Sequence, residues 1–130
     1  MIVLDASAVV DLLIKPAAET DELRARIRAA STVYGPHLLD TEVTNILRRH
    51  VLRGRMDQFS ARRALRRLAV MRLRLWPHQP FIGRAFALRH QLTAYDAIYV
   101  AMAEATGATL LTRDARLART AGHRARIEVV

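Results

Sequence analysis

Four acidic residues stand where a single binding site could form. Asp5 closes the apolar run IVL near the start of the chain, and Asp114 follows the apolar run ATLLT by two residues. Glu42 and Asp96 lie in the opening turns of two segments with helical spacing. Ligands of open parallel sheets bind beyond the carboxyl ends of the strands. We therefore expect the four carboxylates to share one edge of a sheet.

A cluster of carboxylates predicts a particular chemistry. Neighbouring carboxylates repel one another and are driven toward protonation unless a cation joins them. Hard divalent cations such as Mg²⁺ and Mn²⁺ take oxygen ligands, and they assist the hydrolysis of phosphate esters. The pattern therefore favours metal-assisted phosphoryl chemistry. The five histidines lack ligand spacing, so surface or packing roles are expected for them: His37, His50, His78, His90 and His123.

Each of the four acids also has a purely structural explanation. Thr93 followed three residues later by Asp96 fits a capping box at a helix start. Asp5 and Asp114 could be helix N-caps, and Glu42 could simply favour the positive end of a helix. Each explanation is adequate for one acid. Together they require four independent coincidences, because all four acids are expected at the same end of one sheet.

Short apolar runs alternate with segments of helical spacing along the whole chain. The predicted strands are IVL at 2–4, TVYG at 32–35, LRLW at 73–76, ATLLT at 108–112 and RIEVV at 126–130. The predicted helices cover 6–14, 19–30, 38–52, 57–71 and 80–91, with one more from Thr93 to Gly107 and a short one before the last strand. This alternation predicts one α/β domain over residues 1–130, with a parallel sheet covered by helices on both faces.

The charge balance of the chain indicates an acidic or polyanionic partner. The 130 residues include 21 Lys and Arg against 12 Asp and Glu, a net charge of +9, and Lys15 is the only lysine. Phosphates attract such basic surfaces at long range. Cysteine is absent, so neither disulfides nor thiolate chemistry contributes. No apolar run reaches membrane-spanning length and no secretory leader is recognised, so a cytoplasmic protein without membrane association is expected.

The most basic stretch runs from 48 to 74 and includes a predicted helix. It could contact an RNA backbone or an acidic protein partner, or it could be a solvated helix face; the arginines concerned are Arg62, Arg63, Arg66 and Arg67. Its apolar residues keep helical spacing and are expected in the core or in a dimer interface: Phe59, Leu65 and Leu68. Core packing is favoured over base stacking for Trp76 and Tyr99.

Three segments carry a resemblance to a known family: IVLDASAVVDLL, LLDTEVTNIL and TAYDAIYVAMAEATGATLLTRDARLA. In this order they resemble PIN-domain proteins, specifically VapC-type toxins of toxin–antitoxin pairs. The resemblance covers nearly the whole chain. It implies a Mg²⁺- or Mn²⁺-dependent endoribonuclease on a five-stranded parallel sheet, homodimeric and inhibited by a cognate VapB-like antitoxin.

The resemblance also assigns roles to residues. It places the acidic ligands of the family on the four acids: Asp5, Glu42, Asp96 and Asp114. We expect Asp5, Asp96 and Asp114 to hold a cation, while Glu42 completes the shell or orients the attacking water. Supporting polar roles fall to Ser7, Asn45 and Thr112, although Asn45 is equally well explained as an exposed helical amide. Arg116 stands where many relatives have a further acid, which predicts a weak second metal site.

Three other classes of protein are alternatives to this interpretation. A receiver-type signalling domain needs a lysine after a late strand, whereas Lys15 lies near the start. A haloacid-dehalogenase-like phosphatase needs Asp-x-Asp after the first strand, where this chain has Asp5-Ala6-Ser7. The remaining alternative is a non-catalytic, basic RNA- or protein-binding module on the same fold. Its binding would need no divalent ion and would survive neutralisation of Asp96.

Overall fold

Five parallel strands form one sheet in the order β3-β2-β1-β4-β5. A computed structural model describes all residues from 1 to 130. The strands are β1 (Ile2–Leu4), β2 (Val33–Pro36), β3 (Arg74–Trp76), β4 (Thr109–Thr112) and β5 (Arg126–Val129). The predicted parallel α/β fold is confirmed. The strand order reverses at β1, because β2 and β3 follow on one side of it and β4 and β5 on the other.

Seven α-helices connect and cover the strands. They are α1 (Ala6–Ile14), α2 (Asp21–Ala29), α3 (Leu38–Leu52), α4 (Gln58–Ala69), α5 (Ile82–Ala87), α6 (Ala94–Thr106) and α7 (Ala115–Arg119). Helix α1 packs against α3 and α4, whereas α5 packs against α6. Right-handed crossovers between parallel strands place these two groups on opposite faces of the sheet. None of these helices combines the length and the apolarity needed to cross a membrane.

Three predicted helices differ from the structure at their ends, and the helix predicted over 19–30 is the shorter α2, Asp21–Ala29. The segment predicted as a helix over 80–91 is a 3-10 turn at Gln79–Phe81 followed by α5, which ends at Ala87. The backbone then continues in tight turns, in which Arg89 and Gln91 donate to carbonyls three residues earlier. Helix α4 begins at Gln58 because Asp57 caps it, accepting a hydrogen bond from the Ser60 backbone N–H at 2.8 Å.

The prediction of core packing was wrong for Trp76, whereas Phe59 lies outside the core and its other predicted place, a dimer interface, stays a prediction. Trp76 is 42% exposed because β3 is an edge strand that pairs only with β2. Its ring packs edge-to-face on Tyr34, with the ring centroids 5.3 Å apart. Phe59 is 74% exposed on the outer side of α4, whereas Leu65 and Leu68 pack against the core as expected.

The register of the central strands decides which acids meet. Leu4 of β1 lies opposite Leu111 of β4, and the Asp5 backbone N–H donates to the Leu111 carbonyl at 3.0 Å. The residues that follow these two strands therefore emerge side by side at the carboxyl edge of the sheet. Helix α6 is buried from Ala97 to Ala103, so its first turn is held firmly against the same edge.

Candidate active site

The Asp5 carboxylate is held by two hydroxyl groups. Its Oδ2 atom accepts hydrogen bonds from Ser7 Oγ at 2.5 Å and from Thr112 Oγ1 at 2.7 Å. These hydroxyls are themselves positioned, because Ser7 Oγ accepts from the Arg113 backbone N–H and Thr112 Oγ1 from that of Asp114, each at 3.0 Å. The contacts expected of Ser7 and Thr112 are therefore present. Asp5 Oδ1 accepts no hydrogen bond within the chain, so it is the oxygen left for a ligand.

The second acid, Glu42, is held from the opposite face of the sheet. The Tyr99 hydroxyl of α6 donates to Glu42 Oε2 at 2.5 Å, although the two residues are 57 positions apart. Burial raises the pKa of Glu42 above its usual value; the Tyr99 hydrogen bond opposes this shift, and the negative charges of Asp5 and Asp96 add to it. Burial and the charge of Glu42 raise the pKa of Tyr99 beyond its usual range, so Tyr99 remains a hydrogen-bond donor.

Tyr99 is a residue whose contribution to the site was missed. It is 1% exposed, so the prediction of core packing was correct, but its hydroxyl also ends against a carboxylate. A buried tyrosine hydroxyl usually finds a polar partner. That rule shows that a partner is needed, but the sequence gives no means of choosing Glu42.

Asp96 caps its helix and also lies near the charges of Asp5 and Asp114. Thr93 Oγ1 accepts from the Asp96 backbone N–H at 3.2 Å and donates to Asp96 Oδ2 at 2.9 Å, which is the predicted capping box. Burial raises the pKa of Asp96, the Thr93 hydrogen bond lowers it, and the charges of Asp5 and Asp114 raise it further. The carboxylate that caps α6 therefore also belongs electrostatically to the acidic group.

Asp114 is paired with an arginine from its own helix. It caps α7 by accepting from the Arg116 backbone N–H at 2.8 Å. The Arg116 guanidinium adds two bonds, from Nε to Oδ1 at 3.2 Å and from Nη2 to Oδ2 at 3.0 Å. This hydrogen bonding lowers the pKa of Asp114 below its usual value. Both oxygens of Asp114 thus accept hydrogen bonds from the Arg116 guanidinium, a contact that the sequence does not predict.

The chemistry of the four acids fits a hard divalent cation, but their arrangement is not a finished chelate. Every candidate donor is a carboxylate oxygen, the kind of ligand that Mg²⁺ and Mn²⁺ prefer. Burial raises the pKa of Glu42 most, and the charges of Asp5 and Asp96 raise it further, as expected for neighbouring carboxylates. No three histidine, aspartate or glutamate side chains lie close enough to hold one ion as they stand. Joint binding of one ion by three of these acids would require their side chains to lie closer together.

The remaining predicted residues lie apart from this cluster. Asn45 is exposed on α3 and makes no side-chain hydrogen bond. The Arg67 guanidinium donates to the carbonyls of Leu12 and Leu13 at 3.2 and 2.7 Å. It thereby satisfies the C-terminal end of α1, opposite the end that Asp5 begins. The other arginines that were predicted to contact RNA or an acidic partner are exposed and have no partner within the chain: Arg62, Arg63 and Arg66.

Comparison with known proteins agrees with this architecture. A family model described as "PIN domain" matches residues 2–123. The chain belongs to the PIN-domain family. Two similar proteins from Mycobacterium tuberculosis (strain H37Rv) are called ribonucleases. Ribonuclease VapC12 is 40% identical over 130 residues, covering 100% of this chain and 99% of its own. Ribonuclease VapC1 is 43% identical over 129 residues, covering 98% and 96%.

A solved structure supports the PIN fold independently of close sequence similarity. The crystal structure of VapBC2 from Rickettsia felis bound to a DNA fragment superposes with a TM-score of 0.69 at 16% sequence identity. The match covers 99% of this chain and 98% of that one. The resemblance of the sequence to PIN-domain, VapC-type proteins is confirmed.

Proposed function

We propose that this PIN domain is a divalent-metal-dependent endoribonuclease, the toxin of a toxin–antitoxin pair. The observation that carries the proposal is the meeting of Asp5, Glu42, Asp96 and Asp114 at one edge of the sheet from four separate parts of the chain. Burial raises the pKa of Glu42 and of Asp96, and the negative charges of neighbouring acids of this group add to both shifts. The relatives named ribonuclease VapC12 and ribonuclease VapC1 support the same activity.

The residues divide the work of phosphodiester hydrolysis among them. Asp5, through its free Oδ1, would hold the cation together with Asp96 and Asp114. A bound Mg²⁺ or Mn²⁺ would supply the Lewis acidity and the charge compensation that attack on a phosphodiester requires. Glu42, held by the Tyr99 hydroxyl, would complete the shell of ligands or orient the attacking water.

Supporting residues keep the reactive carboxylates in place. Ser7 and Thr112 fix the rotation of the Asp5 carboxylate by binding one of its oxygens. Tyr99 fixes Glu42 in the same way from α6. Such contacts hold a site near its productive geometry, and losing one commonly costs 10- to 100-fold in metal affinity or activity.

The surface charge and the exposed apolar side chains support an RNA substrate and protein partners. A net charge of +9 favours RNA, and the exposed Arg62, Arg63 and Arg66 are available to phosphates. A cognate VapB-like antitoxin and a second copy of the chain would cover exposed apolar side chains, among them Phe59 and Phe86, which are 74% and 68% exposed. We place this activity in the cytoplasm, where RNA and antitoxin would be found.

One observation favours the alternative, a non-catalytic module that binds RNA or protein. Arg116 engages both oxygens of Asp114, and no three acids stand ready to hold an ion. Binding by such a module would be independent of divalent metal and insensitive to loss of Asp96.

The test is cleavage of a structured RNA by the purified protein and two variants. Asp96→Asn removes the central carboxylate yet keeps the Thr93 cap, whereas Asp21→Asn removes an exposed acid in the first turn of α2. Each protein is incubated with Mg²⁺, Mn²⁺ or EDTA. We expect cleavage by the parent and Asp21→Asn only with metal, and none by Asp96→Asn. Equal cleavage by all three, or cleavage in EDTA, would refute the assignment, and metal-independent RNA binding without cleavage would favour the binding module.

A further inference from the structure

Arg116 lies at the rim of the acidic site and is bound to it by a local contact. Its guanidinium forms the two bonds to Asp114 described above, and its side chain is 86% exposed while that of Asp114 is 34% exposed. Arg116 and Asp114 both line a small cleft of about 280 Å³ that also includes Thr93 and Asp96. The cation of this arginine is therefore close to two of the three proposed metal ligands.

The charge of Arg116 reaches beyond its own partner. It lowers the pKa of Asp114 and opposes, by a smaller amount, the rise that burial causes in the pKa of Asp96, so it offsets part of the negative charge in the cleft. A cation that neutralises a carboxylate from within the chain binds the same two oxygens for which a metal ion would compete. The two cations also repel each other when both are present.

We propose that Arg116 is an internal competitor of the divalent cation, which must release Asp114 before this carboxylate can bind metal. The inference rests on the proposed function, since it concerns the same acidic site. Exposure of the arginine makes the competition reversible, because the released guanidinium enters water directly. Without metal, Arg116 balances the charge of Asp114; with metal bound, the guanidinium would release the carboxylate to the ion.

The size of the effect follows from the kind of contact. Exposed ion pairs are weak, and this one is bidentate but open to solvent, so displacing it lowers metal affinity about two- to fivefold. Arg116→Gln removes the charge and the bidentate contact. It keeps the backbone N–H of residue 116 that donates to Asp114, so the cap of α7 is preserved. Arg116→Lys keeps the charge but loses the two-pronged geometry.

The experiment is titration of the RNA-free protein with Mn²⁺ by calorimetry, together with its melting temperature at each metal concentration. The matched control is Arg119→Gln, which removes an exposed arginine of the same helix that has no partner in the chain. We expect Kd for Mn²⁺ to fall about two- to fivefold in Arg116→Gln. Arg116→Lys should lie between this variant and the parent, and Arg119→Gln should match the parent. Metal should also raise the melting temperature of Arg116→Gln at lower concentration.

Two results would overturn the inference, and they are distinguishable from failure of the proposed function. An unchanged or weaker Kd in Arg116→Gln, or an equal gain in Arg119→Gln, would show that Arg116 does not compete at the site. If the parent still bound Mn²⁺ and cleaved RNA, the proposed function would hold and only the competition by Arg116 would be refuted. Absence of Mn²⁺ binding by the parent and all variants would overturn both.

Discussion

The hydrogen bond between Tyr99 and Glu42 is the contact whose removal tests the site most directly. Tyr99→Phe deletes one hydroxyl from a side chain that is 1% exposed and leaves the ring in its packed position. The loss is confined to the 2.5 Å bond to Glu42 Oε2. We expect Glu42 to become freer to rotate and its pKa to rise further, because this bond opposes the effect of burial.

The magnitude follows from the burial of the two partners. A hydrogen bond to a charged group contributes about 1.5–3 kcal/mol. Glu42 is half-buried and can recruit water in place of the phenol, so the lower figure applies. We expect the free energy of unfolding to fall by about 1.5 kcal/mol at pH 7. With a urea m-value of about 1.5 kcal/mol/M, the midpoint falls by about 1 M.

The pH dependence distinguishes this bond from a general packing effect. Because the bond lowers the pKa of Glu42 in the folded state, its contribution is largest where Glu42 is ionised and shrinks as pH falls through that pKa. Urea unfolding in EDTA at pH 7 and at pH 4 should therefore show a smaller difference at the lower pH. RNA cleavage by the variant should lose rate, and its acidic limb should move to higher pH.

Tyr95→Phe is the matched control, since Tyr95 is 64% exposed on the same helix and its hydroxyl has no partner in the chain. It should leave stability, cleavage rate and pH profile unchanged. The reasoning would be refuted if Tyr99→Phe behaved like Tyr95→Phe in all three measurements. A loss of stability that was equal at both pH values would attribute the effect to packing and not to Glu42.

Three further changes have defined outcomes. Glu42→Gln should raise the free energy of unfolding in EDTA at pH 7, because burial disfavours the ionised form of Glu42 and raises its pKa; urea unfolding should show this gain disappear below about pH 4, where the carboxyl group is protonated in both states. Glu104→Gln should lower the free energy of unfolding at neutral pH by about 1–2 kcal/mol after allowance for solvent screening. Arg84 lowers the pKa of Glu104 to about 2, so this contribution is present at neutral pH and is lost as acid is added toward pH 2; equal acid unfolding of both proteins would contradict it. Thr112→Val should reduce RNA cleavage about 10- to 100-fold by freeing Asp5, whereas Thr112→Ser should retain most activity; equal rates would exclude an orienting role.

Local patterns in the sequence were sufficient for the elements and for the positions of the acids along them. Helix α1 occupies the predicted 6–14 and α3 the predicted 38–52. The capping box of Thr93 and Asp96 formed as its spacing predicts. These features depend on residues three or four positions apart, whose geometry the helix itself sets.

The same patterns could not decide which elements lie at an edge of the sheet or which side chains meet across it. The apolar run around Trp76 predicts a strand, and only the strand order makes it an edge strand and leaves Trp76 exposed. Tyr99 meets Glu42 across 57 positions, and Thr112 meets Asp5 across 107. Periodicity specifies which face of an element is apolar, whereas contact between distant residues depends on strand order and register, which packing of the whole chain selects.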